Sequence, residues 1–199
     1  ELIDLSTSLA ASSFAEDTAT GTTIATVSAT SPQGDAITFS LSGAGNENFS
    51  ISSEGTVTLA NTLDYETTSS YTLTLTATDG SSTVNSDLII VINNINEAVT
   101  LSTSVASSSF SEDISTGTTI STASATDPEN ATISYTLSGT GSDKFSVSSD
   151  GTVTLSSGLD YESTTSYSLT LTASDGTYST TSSISFSVTD ISELAFSAS

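Results

Sequence analysis

The chain has no cysteine, methionine, tryptophan or histidine, and Lys144 is the one basic residue among 199. Without cysteine there are no disulfide staples and no thiolate metal ligands. With histidine missing as well, zinc and copper lose their preferred ligands, and general-base or thiol catalysis loses its usual residues. One cation against 23 acidic residues gives a formal net charge of −22. Such a chain does not displace counterions from nucleic-acid phosphates, and anionic membrane surfaces repel it. No run approaches the ~18 consecutive apolar residues of a spanning helix, so direct membrane insertion is excluded as well. The opening Glu-Leu-Ile-Asp shows no basic stretch followed by an apolar one, so no signal peptide is expected there.

What is abundant is hydroxyl: serine and threonine supply 83 positions. Charged residues are only 12% of the chain, too few for a disordered acidic tail, while apolar residues at 35% suffice for thin cores. The length accommodates two domains of about 100 residues.

Shifted by 96 residues, the sequence aligns with itself without a gap, with 52 identities over the first 97 positions. Gly-Thr-Val-Thr-Leu at 55–59 returns at 151–155, and Leu-Asp-Tyr-Glu at 63–66 returns at 159–162. Two copies of one domain are therefore expected, at 1–96 and 97–199. Glu1, Glu97 and Glu193 fall at equivalent junctions, and residues from about 194 read as the first strand of a further repeat. The sequence thus reads as an excerpt of a longer protein.

Within each copy the apolar residues alternate with period two, as in half-buried strands. Ile37, Phe39 and Leu41 do so, as do Tyr71, Leu73, Leu75 and Ala77, and then Leu88, Ile90 and Ile92. Glycine, asparagine, aspartate and serine punctuate the runs, no window has a helical period, and β-branched threonine favours extended backbone. The expectation is all-β: two tandem immunoglobulin-like antiparallel sandwiches of about seven strands each.

The carboxylates avoid the apolar faces and collect at strand ends: Glu16, Asp64, Glu66, Asp79 and Glu97 in the first copy, and Glu112, Asp160, Glu162, Asp175, Asp190 and Glu193 in the second, with Asp127 and Glu129 added. Asp64 and Glu66, two apart, leave an extended loop on one side, where they repel without a counter-cation. A hard cation taking 6–8 oxygen ligands suits this chemistry, and a cage built from several loops suits Ca²⁺ better than Mg²⁺. The same residues also serve as solvated turn formers in many loops.

In this order the motifs resemble the cadherin repeat over nearly the whole of each copy. Phe-Ala-Glu-Asp at 14–17 is similar to that family's first glutamate motif, Leu-Asp-Tyr-Glu to its Leu-Asp-x-Glu, and Ala-Thr-Asp-Gly at 77–80 to its late aspartate. Asn-Asn-Ile-Asn-Glu-Ala at 93–98 resembles the junction motif Asp-x-Asn-Asp-Asn in a form reminiscent of bacterial members, and Asp127-Pro128-Glu129 resembles the family's paired acids. The resemblance implies Ca²⁺ at the central junction, held by Glu16, Asp64, Glu66, Asn94, Glu97, Asp127, Glu129 and Asp175, with carbonyls near Ile95 and Asn96. It implies a second, incomplete set at Glu112, Asp160, Glu162, Asp190 and Glu193. Asn94 stands where the family has aspartate and Ala98 where it has asparagine, so two ions or three are both compatible. Ser31-Pro32-Gln33 in the first copy makes a poor counterpart of Asp127-Pro128-Glu129.

The implied function is a calcium-dependent structural extender or adhesion module of a large cell-surface or secreted adhesin. Its composition is similar to that of bacterial adhesins, and its first partners are neighbouring repeats of the same chain. The alternative is a repeat that itself binds a polysaccharide or pairs with a protein on another cell. Exposed aromatics would mark that alternative, but Tyr135 reads as core and Tyr178 as an ordinary strand residue. An enzyme is not expected, because the serines lack a base beside them and Asp64 and Glu66 share one loop rather than flanking a cleft.

Overall fold

Alternating apolar and hydroxyl side chains give the central strands one buried face and one wet face, and two sheets close over each other in each copy. A computed structural model describes residues 2–192. The chain divides between Ile95 and Asn96 into two compact units.

In the first unit the strands are β1 (Asp4–Leu9), β2 (Phe14–Ala15), β3 (Thr23–Thr30), β4 (Thr38–Ser42), β5 (Phe49–Ile51), β6 (Thr56–Leu59), β7 (Ser70–Thr78) and β8 (Thr83–Asn93). They form two sheets, ordered β1-β3-β6-β5 and β2-β8-β7-β4. The second unit repeats them as β9 (Thr100–Val105), β10 (Ser109–Ser111), β11 (Thr119–Thr126), β12 (Ser134–Ser138), β13 (Phe145–Val147), β14 (Thr152–Leu155), β15 (Ser166–Ser174) and β16 (Ser179–Thr189). Its sheets are ordered β13-β14-β11-β9 and β10-β16-β15-β12. The strand expected from about 194 lies outside the described residues.

The cores follow the period-two pattern. Leu73, Leu75 and Ala77 of β7 and Leu88, Ile90 and Ile92 of β8, with Leu73 opposite Leu88, are buried with Ile24, Val57 and Leu59 from the other sheet. Phe49 and Tyr71 meet edge to face with centroids 5.1 Å apart. Ile24 and Ala25 are both buried although adjacent, because the β3–β6 register shifts between Thr23 and Ala25, a bulge that turns two successive residues inward. At the β5–β6 hairpin Gly55 has φ 82°, and a Cβ there would lie 2.2 Å from the carbonyl oxygen of Val27, so the turn requires glycine.

Three details depart from the sequence expectations. Each unit has eight strands rather than about seven, since the first strand is split. After β1 has paired antiparallel with β3, the small residues Ala10–Ser13 carry the chain across to the opposite sheet. It continues in the same direction there, so β2 runs parallel to β8, Phe14 beside Ile92, and the sandwich is not purely antiparallel. Finally, Tyr178 is not a strand residue: it sits in the turn before β16, 47% exposed, its N–H donating to Asp175. Tyr135 packs half-buried against the core, in line with the sequence reading.

Candidate metal centres

Each unit carries carboxylates at two ends. At the exit end of the first, Glu16 directly follows β2 and is only 6% exposed. Its Oε2 accepts the Tyr65 N–H at 2.7 Å and its Oε1 the Ile95 N–H at 2.7 Å. Asp64 turns back on its own loop: Oδ1 accepts the Thr67 N–H at 2.9 Å and Oδ2 the Thr67 hydroxyl at 2.8 Å. The Thr67 amide, then its hydroxyl, hold the Asp64 carboxyl below its ordinary pKa. Glu66 and Asn94 are exposed.

The exit end of the second unit reproduces this geometry. Glu112 accepts the Tyr161 N–H at 2.8 Å and the Ile191 N–H at 2.7 Å. Asp160 accepts the Ser163 hydroxyl at 2.8 Å and the Ser163 N–H at 3.1 Å, which lower its pKa, the hydroxyl most. Glu112, Glu162 and Asp190 each place a carboxylate oxygen within 4.8 Å of the others. Of the sequence-predicted set, Glu193 lies outside the described residues.

The entry end of the second unit gathers the remaining predicted residues. Asp127 follows β11 and is 7% exposed. Its Oδ1 accepts the Ala131 N–H at 2.9 Å, while its Oδ2 is buried with no hydrogen-bond partner. Glu129 Oε1 accepts the Glu97 N–H at 3.1 Å, and Glu129 Oε2 is likewise buried and unpartnered. Asn96 donates from Nδ2 to Asp175 Oδ2 at 2.8 Å, and Asp175 Oδ1 accepts the N–H groups of Thr177 and Tyr178, both at 2.6 Å. The Asn96 amide first, then the Thr177 amide, hold the Asp175 carboxyl below its ordinary pKa.

A buried carboxylate oxygen without a donor is costly. Two such oxygens at one end of a domain, in a chain with one basic residue, fit a hard divalent cation: oxygen ligands, negative charge, and no nitrogen or sulfur. Sequence reasoning found the acidic side chains of these clusters. It missed the backbone amides of Tyr65, Ile95, Tyr161 and Ile191, because an amide is common to almost every residue and no side-chain type signals it.

The family model for the cadherin domain matches residues 11–93 and 106–189. The chain is 35% identical over 202 residues to the protocadherin-like wing polarity protein stan of Drosophila melanogaster, covering 90% of this chain and 6% of that protein. It is 36% identical over 170 residues to cadherin EGF LAG seven-pass G-type receptor 1 of Mus musculus, covering 80% of this chain and 6% of the receptor. The chain therefore spans about a sixteenth of the length of these curated relatives, which are animal proteins. Among solved structures it resembles human protocadherin-24 EC1-2, with TM-score 0.66, 23% identity, and coverage of 90% of this chain and 95% of that one. It also resembles protocadherin gamma B7 cadherin domains 1–4, with TM-score 0.67, 26% identity, and coverage of 93% and 50%.

Proposed function

This chain belongs to the cadherin family, as two tandem cadherin domains, and on that premise we propose that it is a calcium-stiffened extender segment of a larger adhesion protein. Cadherin domains are structural and adhesive modules, and the chain is not an enzyme. In the proposed reading Glu16, Asp64, Glu66, Asn94, Asn96 and Glu97 join Asp127, Glu129 and Asp175 in holding Ca²⁺ at the joint between the domains. Glu112, Asp160, Glu162, Asp190 and Glu193 form the corresponding exit set of the second domain. Bound calcium supplies positive charge and a demand for many oxygen ligands. The protein's residues do the rest: carboxylates that repel one another when bare become shared ligands, and the connecting segment loses its freedom.

The observation that carries this reading is the pair of buried, donorless oxygens on Asp127 and Glu129. The millimolar calcium outside cells matches the 10⁻⁴–10⁻³ M affinity of extracellular modules, so the proposed location is extracellular or at a cell surface. The bacterial-adhesin type rests on composition and on the Asn-Glu-Ala junction, whereas the relatives above come from fly, mouse and human. Calorimetric titration of the full chain with CaCl₂ should show binding in that affinity range, with small-angle scattering giving a longer, less variable particle in calcium than in chelator. Absence of binding at 10-fold above that range, or identical scattering in the two buffers, overturns the proposal.

A further inference from the structure

Glu16 and Glu112 make matching contacts to the backbone of their own domains. Glu16 sits at one end of the short β2 strand, and each of its carboxylate oxygens receives one backbone N–H from a different segment: Tyr65 in the Leu-Asp-Tyr-Glu loop and Ile95 in the stretch that leaves β8. Its own N–H donates to the carbonyl of Asn93 at 3.1 Å. Glu112 repeats all three contacts on Tyr161, Ile191 and Thr189. Neighbouring positions have diverged, Asn93 to Thr189 and Asn94 to Asp190, and the geometry has not.

We infer that Glu16 and Glu112 are positioning residues, metal-independent latches that pin the loop and the departing segment to the body of their own domain. A carboxylate accepting backbone amides makes charge-assisted hydrogen bonds, stronger than neutral ones. With about four lone-pair sites on two oxygens, accepting two N–H groups leaves capacity toward a cation. The latch therefore stands before any ion arrives and does not compete with one. The boundary between the units falls between Ile95, the residue Glu16 holds, and Asn96.

The inference extends the calcium reading but does not depend on it, since its test is run in chelator. Amide hydrogen exchange of the full chain, read residue by residue by NMR with all calcium removed, should show Tyr65 and Ile95 exchanging about tenfold or more slowly than in a free peptide. Glu16→Ala should return both to near free-peptide rates while the core strand amide of Leu73 stays protected. Glu16→Gln, which offers one acceptor oxygen instead of two, should keep one of the pair protected and release the other. If Glu16→Ala unfolds the first domain, Glu112→Ala read at Tyr161 and Ile191 provides the same comparison in the second. Free-peptide rates in the unsubstituted chelated protein overturn the inference, as does undiminished protection in both alanine variants. Neither result bears on whether calcium binds.

Discussion

The entry ends of the two domains share a fold and differ in how they satisfy one aspartate. In the first, Ser31 donates its hydroxyl to Asp79 Oδ2 at 3.0 Å, and Asp79 Oδ1 accepts the N–H groups of Ser81 and Ser82 at 2.9 and 2.7 Å. The carboxylate is satisfied by neutral donors alone. In the second, Asp127 and Glu129 replace Ser31 and Gln33, Asn96 takes over donation to Asp175, and two carboxylate oxygens are left buried without a donor. Substitutions in a gap-free repeat, Ser31 to Asp127 and Gln33 to Glu129 among them, thus separate a turn satisfied by neutral donors from one that leaves two carboxylate oxygens without a donor. The presence of acid residues is shared by both ends. What differs is whether the local backbone and hydroxyl donors are enough to satisfy them.

The largest effect that tests this comparison is calcium removal. At a free calcium concentration 100-fold above Kd, binding to the folded state alone adds about 2.7 kcal/mol. For a domain near 100 residues that corresponds to a melting temperature roughly 10–20 °C higher than in chelator. The double variant Asp127→Ala with Glu129→Ala should lose most of that difference in differential scanning calorimetry. An undiminished calcium response in the variant would place the cation elsewhere.

A smaller effect is expected from transplanting the second end onto the first. Ser31→Asp with Gln33→Glu removes the hydroxyl donor to Asp79 and adds like charge beside it. In chelator this should lower the melting temperature of the first domain. Millimolar calcium should recover part of the loss in the same thermal melt. A variant indifferent to calcium would show that the paired acids alone are insufficient.

The smallest effect is on pH dependence. Asp79 and Asp175 both titrate below their ordinary value in the folded chain, the first chiefly through the Ser82 amide and the second chiefly through the Asn96 side chain. A folded pKa below the unfolded one means the stabilisation is fully present above about pH 4 and fades as pH falls through the lower folded value. Asn96→Ala should move the Asp175 titration back toward the ordinary range and leave Asp79 where it is, measured by NMR of the carboxyl carbons in chelator. Equal movement of both would break the distinction between the two ends.

Much of this was legible in the residues. The 96-residue register, the alternation through Leu73, Leu75 and Ala77, and the placement of acids beyond strand ends lead directly to paired sandwiches with charged tips. Three things were not legible. The parallel β2–β8 pairing depends on a chain crossing between sheets at Ala10–Ser13, which leaves no periodic mark. Tyr178 occupies a frame compatible with a strand, but Asp175 accepts two amides and bends the chain into a turn there. Asp64 and Asp160 read as ligands through the cadherin resemblance, yet both oxygens of each are engaged by Thr67 or Ser163, so each also shapes its own loop.

The parallel pairing has a mechanical consequence. β2 lies near the start of its domain and β8 at the end, and Phe14 and Ala15 run in the same direction as Ile92 and Asn93. Tension applied to opposite ends of the domain therefore drags these strands past one another along their axes. Their bonds, together with the Glu16–Ile95 contact just beyond them, are strained all at once rather than unzipped one after another. A patch loaded this way breaks as a unit, and the second domain carries the same parallel pairing, Phe110 beside Val188.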